Sequence, residues 1–274
     1  MNSAASPRRT RVMGIVNVTP DSFSDGGRHT GTQAVVEHGL QLVEQGADIL
    51  DVGGESTRPG AEPVDAAAEI ARVVPVIEGL RARWPGPISV DTMKPDTARA
   101  AVAAGATMWN DVAALGWSPD AAAVAADLGC DVVLMHMQGE PRTMQADPRY
   151  EDVVAEVADW LVARAEAAIA AGVARDRIWL DPGIGFGKTV AHNLALTARL
   201  DRLAATGFPV LYGASRKRTI QSIDPTAADP LDRLGGSLAL ALEAARRGAG
   251  IVRVHDVRET VQALELQAAV NGAA

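Results

Sequence analysis

The chain has 274 residues, 47% of them hydrophobic and 22% charged, enough apolar material for a large core. Its net charge of −8 argues against a general binder of nucleic acid or membrane surfaces. The single cysteine, Cys130, excludes an intrachain disulfide and any cysteine-built metal site, and at the end of AAAVAADLGC it reads as a small buried hydrophobe.

The opening MNSAASPRRT lacks an apolar signal-like stretch, and no later run approaches membrane-spanning length. The expectation is a soluble cytoplasmic protein with a short disordered tail over residues 1–10. From there on, a short apolar run ends on a polar or charged residue eight times, each time followed by a helical stretch. The first strand is expected near 12–16, ending on Asn17, with a helix from about Thr32 to Gln45. The second is DILDV, whose loop carries Glu55 to Thr57 and leads to a helix over roughly 64–83. The third is PISVD ending on Asp91, before a helix starting at Pro95, and the fourth is ATMWND with Asn110 and Asp111, before a helix from Pro119. The fifth, DVVLMH, ends on His136 and precedes the longest helix, about 150–171. The sixth, RIWLD, ends on Asp181 before PGIGFGKT and a helix near 190–204. The seventh is PVLYG, followed by Ser215 to Arg218, a polar stretch to about Pro230 and a helix to Arg247. The eighth is GIVRVH, with Arg253 and His255, and a last helix spans about 257–270.

Spacings of about 20 to 45 residues between strand ends suit βα units with loops of differing length. Eight parallel strands with helical crossovers make a single (β/α)8 barrel, expected over residues 11–274. In that fold the carboxyl ends of the strands converge on one mouth, so their polar residues read as a site.

Two groups at those ends carry chemistry. Ser215, Arg216, Lys217 and Arg218 with Arg253 and His255 form two basic clusters after strands 7 and 8, the usual phosphate position in barrels. The alternative is a solvated basic face. Asp91, Asn110 and Asp181 interrupt apolar runs and would sit low in the mouth, where burial is costly without a partner. They suit a flat heterocycle with several N–H donors, the alternative being that they cap the helices that follow. Asn17 is either a turn former or a ligand for a hard cation such as Mg²⁺, and His136 either structural or catalytic. PGIGFGKT matches a phosphate-binding loop except at Pro182, which removes an N–H the phosphates would use. An NTPase is rejected on that ground.

Together the segments GIVNVTPDSFSDGG, ADILDVGGESTRPGAEPV, ISVDT, WNDV, VLMHMQGEPRTMQ, LDPGIGFGK, YGASRKR and VRVHDV resemble the dihydropteroate synthase family, in order and over residues 14–257. The resemblance implies condensation of 6-hydroxymethyl-7,8-dihydropterin diphosphate with p-aminobenzoate, releasing diphosphate. It implies that Asn17 holds Mg²⁺ on the diphosphate while Thr57 and Arg58 close over it. It gives Asp91, Asn110 and Asp181 to the pterin ring, with Lys217 reaching its carbonyl side and Met135 lining its pocket. Arg253 and His255 bind the diphosphate, and Phe23, Pro59, Phe186 and Ser215 frame the p-aminobenzoate pocket. Asp91, Lys217, Arg253 and His255 are the expected catalytic set, and a homodimer through the last helices is implied. Thr219 departs from the family's bulky apolar residue, which bears on p-aminobenzoate and sulfonamide affinity. The rivals are a methyltetrahydrofolate-type methyltransferase barrel, which has no use for a diphosphate site, and a non-catalytic pterin-binding paralogue.

Overall fold

The strand cores are apolar on both faces, which is what a parallel sheet covered on both sides demands. In the computed structural model they close into one barrel of eight parallel strands in sequential order. It describes residues 9–18, 27–56, 63–139 and 143–273, with the backbone alone for 27–30. The strands are β1 (Arg11–Asn17), β2 (Ile49–Gly53), β3 (Ile88–Asp91), β4 (Met108–Asp111), β5 (Asp131–Met135), β6 (Ile178–Asp181), β7 (Val210–Tyr212) and β8 (Ala249–Val254). Around them lie α1 (Gly27–Glu44), α2 (Ala66–Arg81), α3 (Pro95–Ala103), α4 (Ala121–Leu128), α5 (Val153–Ala170) and α6 (Val190–Ala198). They are followed by α7 (Leu200–Ala204), α8 (Arg218–Ile223), α9 (Leu234–Arg246) and α10 (Val257–Gly272).

Strand side chains alternate between two cores. Outward residues such as Val12, Leu50, Val90, Trp109, Leu134, Leu180, Tyr212 and Val252 pack under the helices. Inward, Met13, Ile49, Met108, Val133, Leu211 and Ile251 fill the barrel as one apolar layer, with Trp179 against it. The next inward positions toward the mouth, two residues on, are Asp51, Asn110, Met135, Asp181 and Arg253. Pairing fixes their neighbours: Gly53 lies opposite Asp91, Asp91 opposite Asn110, and Met135 opposite Asp181.

Several helix bounds differ from expectation. The first helix starts at Gly27, not Thr32; its glycines suggested a loop, but their propensity cost of about 1 kcal/mol each does not stop a helix otherwise well packed. The fourth begins at Ala121, since Ser118 spends its hydroxyl on Asp120 (2.6 Å) in the preceding turn. The single helix expected over 190–204 breaks at Arg199, which leaves helical geometry (φ −124°, ψ 31°). The polar stretch after Arg218 holds the short helix α8, which its lack of apolar periodicity concealed. The first eight residues of the expected tail lie outside the described residues. Arg9 pairs with Asp48 and the Thr10 hydroxyl donates to the Ala249 carbonyl (2.8 Å), which ties the chain to the barrel before β1 begins. Among the described residues no helix is long and apolar enough to cross a membrane.

Candidate active site

The centre of the mouth is one cation held between two carboxylates. Arg253 Nε donates to Asp51 Oδ2 (2.5 Å) and its Nη2 to Asp91 Oδ2 (2.7 Å). Asn110 Nδ2 donates to the same Asp51 oxygen (3.2 Å). Asp51 is wholly buried, Asn110 nearly so. Asp51 Oδ1 and Asp91 Oδ1 are buried with no hydrogen-bond partner among the described residues. An unmet buried acceptor costs about 1–3 kcal/mol, so this layer is set to receive donors. Burial pushes the Asp91 carboxyl up to about 7, with Arg253 pulling it down and Asp51, Glu69 and Asp181 pushing it further up. Burial also opposes the charge on Arg253, but Asp51 and Asp91 outweigh it and raise its pKa.

Across the mouth, Asp181 is buried and accepts the Gly183 N–H (2.7 Å). Burial raises its pKa, against the pull of Lys217 and that backbone bond. Lys217 donates to the Ile184 carbonyl, and its ammonium lies 4.5 Å from the centre of the Phe186 ring. Burial lowers its pKa to about 8, with Asp181 restoring part of the loss. The glycine bends of PGIGFGKT make this approach possible: Gly183 has φ +67°, and a side chain there would strike the His136 carbonyl at 2.0 Å.

The capping alternative fails for the helices concerned. The residue before α3 is Lys94, whose side chain makes no capping bond; α4 follows Asp120, and α6 has a capping box made by Thr189 and His192. Asp111, by contrast, is structural. It accepts the N–H groups of Ala113 (2.8 Å) and Leu115 (2.7 Å), fixing a turn in which Ala114 and Leu115 have positive φ.

The basic cluster after strand 7 is divided. Ser215 lies 3.1 Å from His255 Nδ1 and accepts the His255 N–H (3.2 Å). Arg216 turns away in a left-handed conformation (φ 59°) and pairs with Asp256. Lys217 alone of the two enters the mouth. Arg253 lies near the end of β8 and His255 just past it, and Arg253 is committed to the acids rather than grouped with His255.

Met135 is buried with Met93 and Val112, and Phe186 packs against them, which makes the site's apolar wall. His136 resolves as structural: Lys188 Nζ meets its Nδ1 (2.9 Å), its carbonyl (3.1 Å) and the Phe186 carbonyl (2.9 Å). Burial, then Lys188, takes the His136 pKa down to about 3, and burial takes that of Lys188 to about 7. Thr219 is buried and accepts from Asn193 (3.0 Å), whose carboxamide oxygen accepts the Gly185 N–H (2.8 Å). The residue at the departure therefore braces the loop that carries Phe186.

Three features escaped the sequence reading. Asp51 lies inside ILDVG, where it looks like a blemish in a strand. Lys188 looked like the remnant of a phosphate loop. Buried Glu69 lies on α2 and, with Glu55, holds Lys94 (3.1 and 2.5 Å), while Glu55 also accepts the Val64 N–H (2.9 Å). That set clamps both stems of the second loop to the start of α3. Thr57, Arg58 and Pro59 of this loop, and Phe23 of the first, lie outside the described residues.

The described residues contain no group of three or more His, Cys, Asp or Glu side chains suited to a metal ion. Asn17 ends β1 at the mouth, opposite Gly53, with its side chain exposed. A single exposed carboxamide oxygen fits a Mg²⁺ ion that takes its other ligands from phosphate and water.

The family model described as "Pterin binding enzyme" matches residues 13–255. The chain is 48% identical to the dihydropteroate synthase of Escherichia coli K12, over 93% of this chain and 89% of that one. Among solved structures, Xanthomonas albilineans dihydropteroate synthase with 4-aminobenzoic acid superposes with a TM-score of 0.90 at 55% identity, covering 97% of this chain and 95% of that one. The same enzyme in complex with 7,8-dihydropteroate gives 0.87 at 52% identity over the same shares.

Proposed function

The chain belongs to the pterin-binding enzyme family, and from that premise we propose that it is a dihydropteroate synthase. It condenses 6-hydroxymethyl-7,8-dihydropterin diphosphate with p-aminobenzoate to 7,8-dihydropteroate and diphosphate. The observation that carries this reading is the meeting of Asp91, Asn110 and Asp181 at the strand ends with two cations, Arg253 bonded to Asp91 and Lys217 close enough to Asp181 for each to shift the other's pKa.

Two carboxylates and a carboxamide oxygen match the N–H edge of a pterin, and Lys217 matches its carbonyl side. Met135 and Phe186 cover the apolar ring face. The C–O bond between the pterin methylene and the diphosphate breaks first, and diphosphate leaves with the electron pair. Arg253 and His255 oppose the negative charge that grows on it. The carboxylate of Asp91 stabilises the pterin-methyl cation. The neutral aromatic amine then attacks and releases a proton, with no strong base required at pH 7. Asn17 would hold Mg²⁺, which when bound would supply charge neutralisation on the diphosphate. Thr57 and Arg58 close over the diphosphate, and Phe23, Pro59, Phe186 and Ser215 frame the p-aminobenzoate. Thr219, braced by Asn193, tunes that pocket and with it the affinity for sulfonamides.

The protein acts as a single barrel domain over about 11–274, in the cytoplasm, as a homodimer. Exposed Leu266 and Val270 on α10, with Leu231 before α9, support an interface through the last helices. A non-catalytic pterin binder has nothing in its favour, since Asn17, Lys217, Arg253 and His255 are all retained. The test is to mix purified protein with pterin diphosphate, Mg²⁺ and p-aminobenzoate. Dihydropteroate should form in step with diphosphate. Binding of pterin without product would support the paralogue instead.

A further inference from the structure

Arg253 faces two demands that conflict. It must remain at the mouth when a ligand arrives, yet one of its two carboxylate partners, Asp91, is a residue the ligand would claim. We propose that Asp51 is the positioning residue that resolves this: it holds the Arg253 guanidinium in place from below, so that Asp91 is free to turn to the pterin. The inference rests on the pterin reading of the site.

Asp51 pairs with Ser89 across β2 and β3, whereas Asp91 pairs with Gly53, so Asp51 lies two residues, about 6.6 Å along the strand, below the position opposite Asp91. It is fully buried, whereas Asp91 keeps part of its side chain exposed. It grips Arg253 by Nε (2.5 Å), the inner edge of the fork, and leaves Nη2 to Asp91 (2.7 Å). The same Oδ2 takes the Asn110 amide (3.2 Å), which fixes the orientation of a second pterin-facing group. A guanidinium held by Asp91 alone would follow Asp91 or block it when ligand donors arrive. With Asp51 beneath it, one charge-assisted bond is exchanged while the other persists.

The test uses Asp51→Asn, Arg253→Lys and the double variant, with kcat and KM measured for both substrates and the fold checked by circular dichroism. Asp51→Asn should lower kcat/KM for pterin diphosphate by about tenfold or more while leaving KM for p-aminobenzoate within about twofold, and the double variant should be no worse than Arg253→Lys alone. Additive losses would mean that Asp51 acts on the ligand directly, and unchanged kinetics that it positions nothing. Either result overturns the proposal. Should Asp51→Asn not fold, the Nε–H signal of Arg253 in the ¹⁵N-arginine spectrum of the wild-type protein decides, assigned by its loss in Arg253→Lys. It should be protected from water exchange both with and without 6-hydroxymethyl-7,8-dihydropterin diphosphate. Exchange as fast as that of surface arginines overturns the proposal. Failure of the wild type to make dihydropteroate would strike the functional reading, and the protection of Arg253 in the free protein would still decide the inference.

Discussion

Two layers of the same barrel, two residues apart on each strand, differ completely in character. The lower one holds Met13, Ile49, Met108, Val133, Leu211 and Ile251, apolar and sealed. On β2, β4, β6 and β8 the upper one places Asp51, Asn110, Asp181 and Arg253 in the same inward column, three of them buried and Arg253 partly so. The lower layer stabilises by removing apolar area from water. The upper layer costs stability, since buried charges repay their desolvation only through close partners, and in and beside it one oxygen each of Asp51 and Asp91 has no partner among the described residues. A fold that keeps such a layer retains it for a ligand, and relies on the layer beneath to hold it rigid.

Changes in each layer should therefore separate stability from chemistry. The largest effect belongs below. Leu211→Ala leaves a void in a fully buried site and should cost roughly 2–5 kcal/mol of stability, read by denaturant unfolding, with kcat per folded molecule preserved. Above, Asp181→Asn keeps the volume but exchanges an acceptor for a donor, so pterin affinity should fall by roughly 2–4 kcal/mol with the fold intact. Unfolding of that variant without ligand would blur the division between layers. Arg253→Ala removes the shared cation and should lower kcat/KM at least about tenfold, even at saturating Mg²⁺.

The pH profile sharpens the same contrast, because only the upper layer titrates. Asp91 gains a proton as pH falls through about 7 and loses the charge it presents to Arg253 and to the ligand. Lys217 loses its proton as pH rises through about 8. The rate kcat/KM should be a narrow bell with its maximum between these values, falling about tenfold per unit on either side. A flat profile from pH 6 to 9 would remove both groups from the reaction. The smallest effect lies at the border of the site: Thr219→Val strands the Asn193 amide, costs about 1 kcal/mol and should raise KM for p-aminobenzoate a few-fold.

The eight strand ends were legible because a polar residue closing an apolar run is an unusual event at a fixed place in a barrel. Asp91, Asn110 and Asp181 were found that way, as were Lys217 and Arg253. Asp51 was not, because its meaning depends on height relative to Asp91, and height comes from pairing between strands that the chain does not spell out locally. The split of Ser215–Arg218 was equally hidden: the positive φ of Arg216, which sends that side chain to Asp256 and leaves Lys217 in the mouth, accompanies contacts from Ser237 of α9 and from Asp256 just before α10. Lys188 carried a signal, a lysine in a glycine-rich turn, but its cage is built from carbonyls and a histidine ring that sequence does not display. The short helix α8 and the break at Arg199 reflect packing that outweighs weak local preference.

The division of labour between the layers is tested most directly by calorimetric titration of 6-hydroxymethyl-7,8-dihydropterin diphosphate into wild type, Leu211→Ala and Asp181→Asn at equal folded concentration. Leu211→Ala should bind as the wild type does, although far less stable, and Asp181→Asn should bind at least about thirtyfold more weakly at unchanged stability. Equal affinity for wild type and Asp181→Asn, or a comparable loss in both variants, would contradict the account.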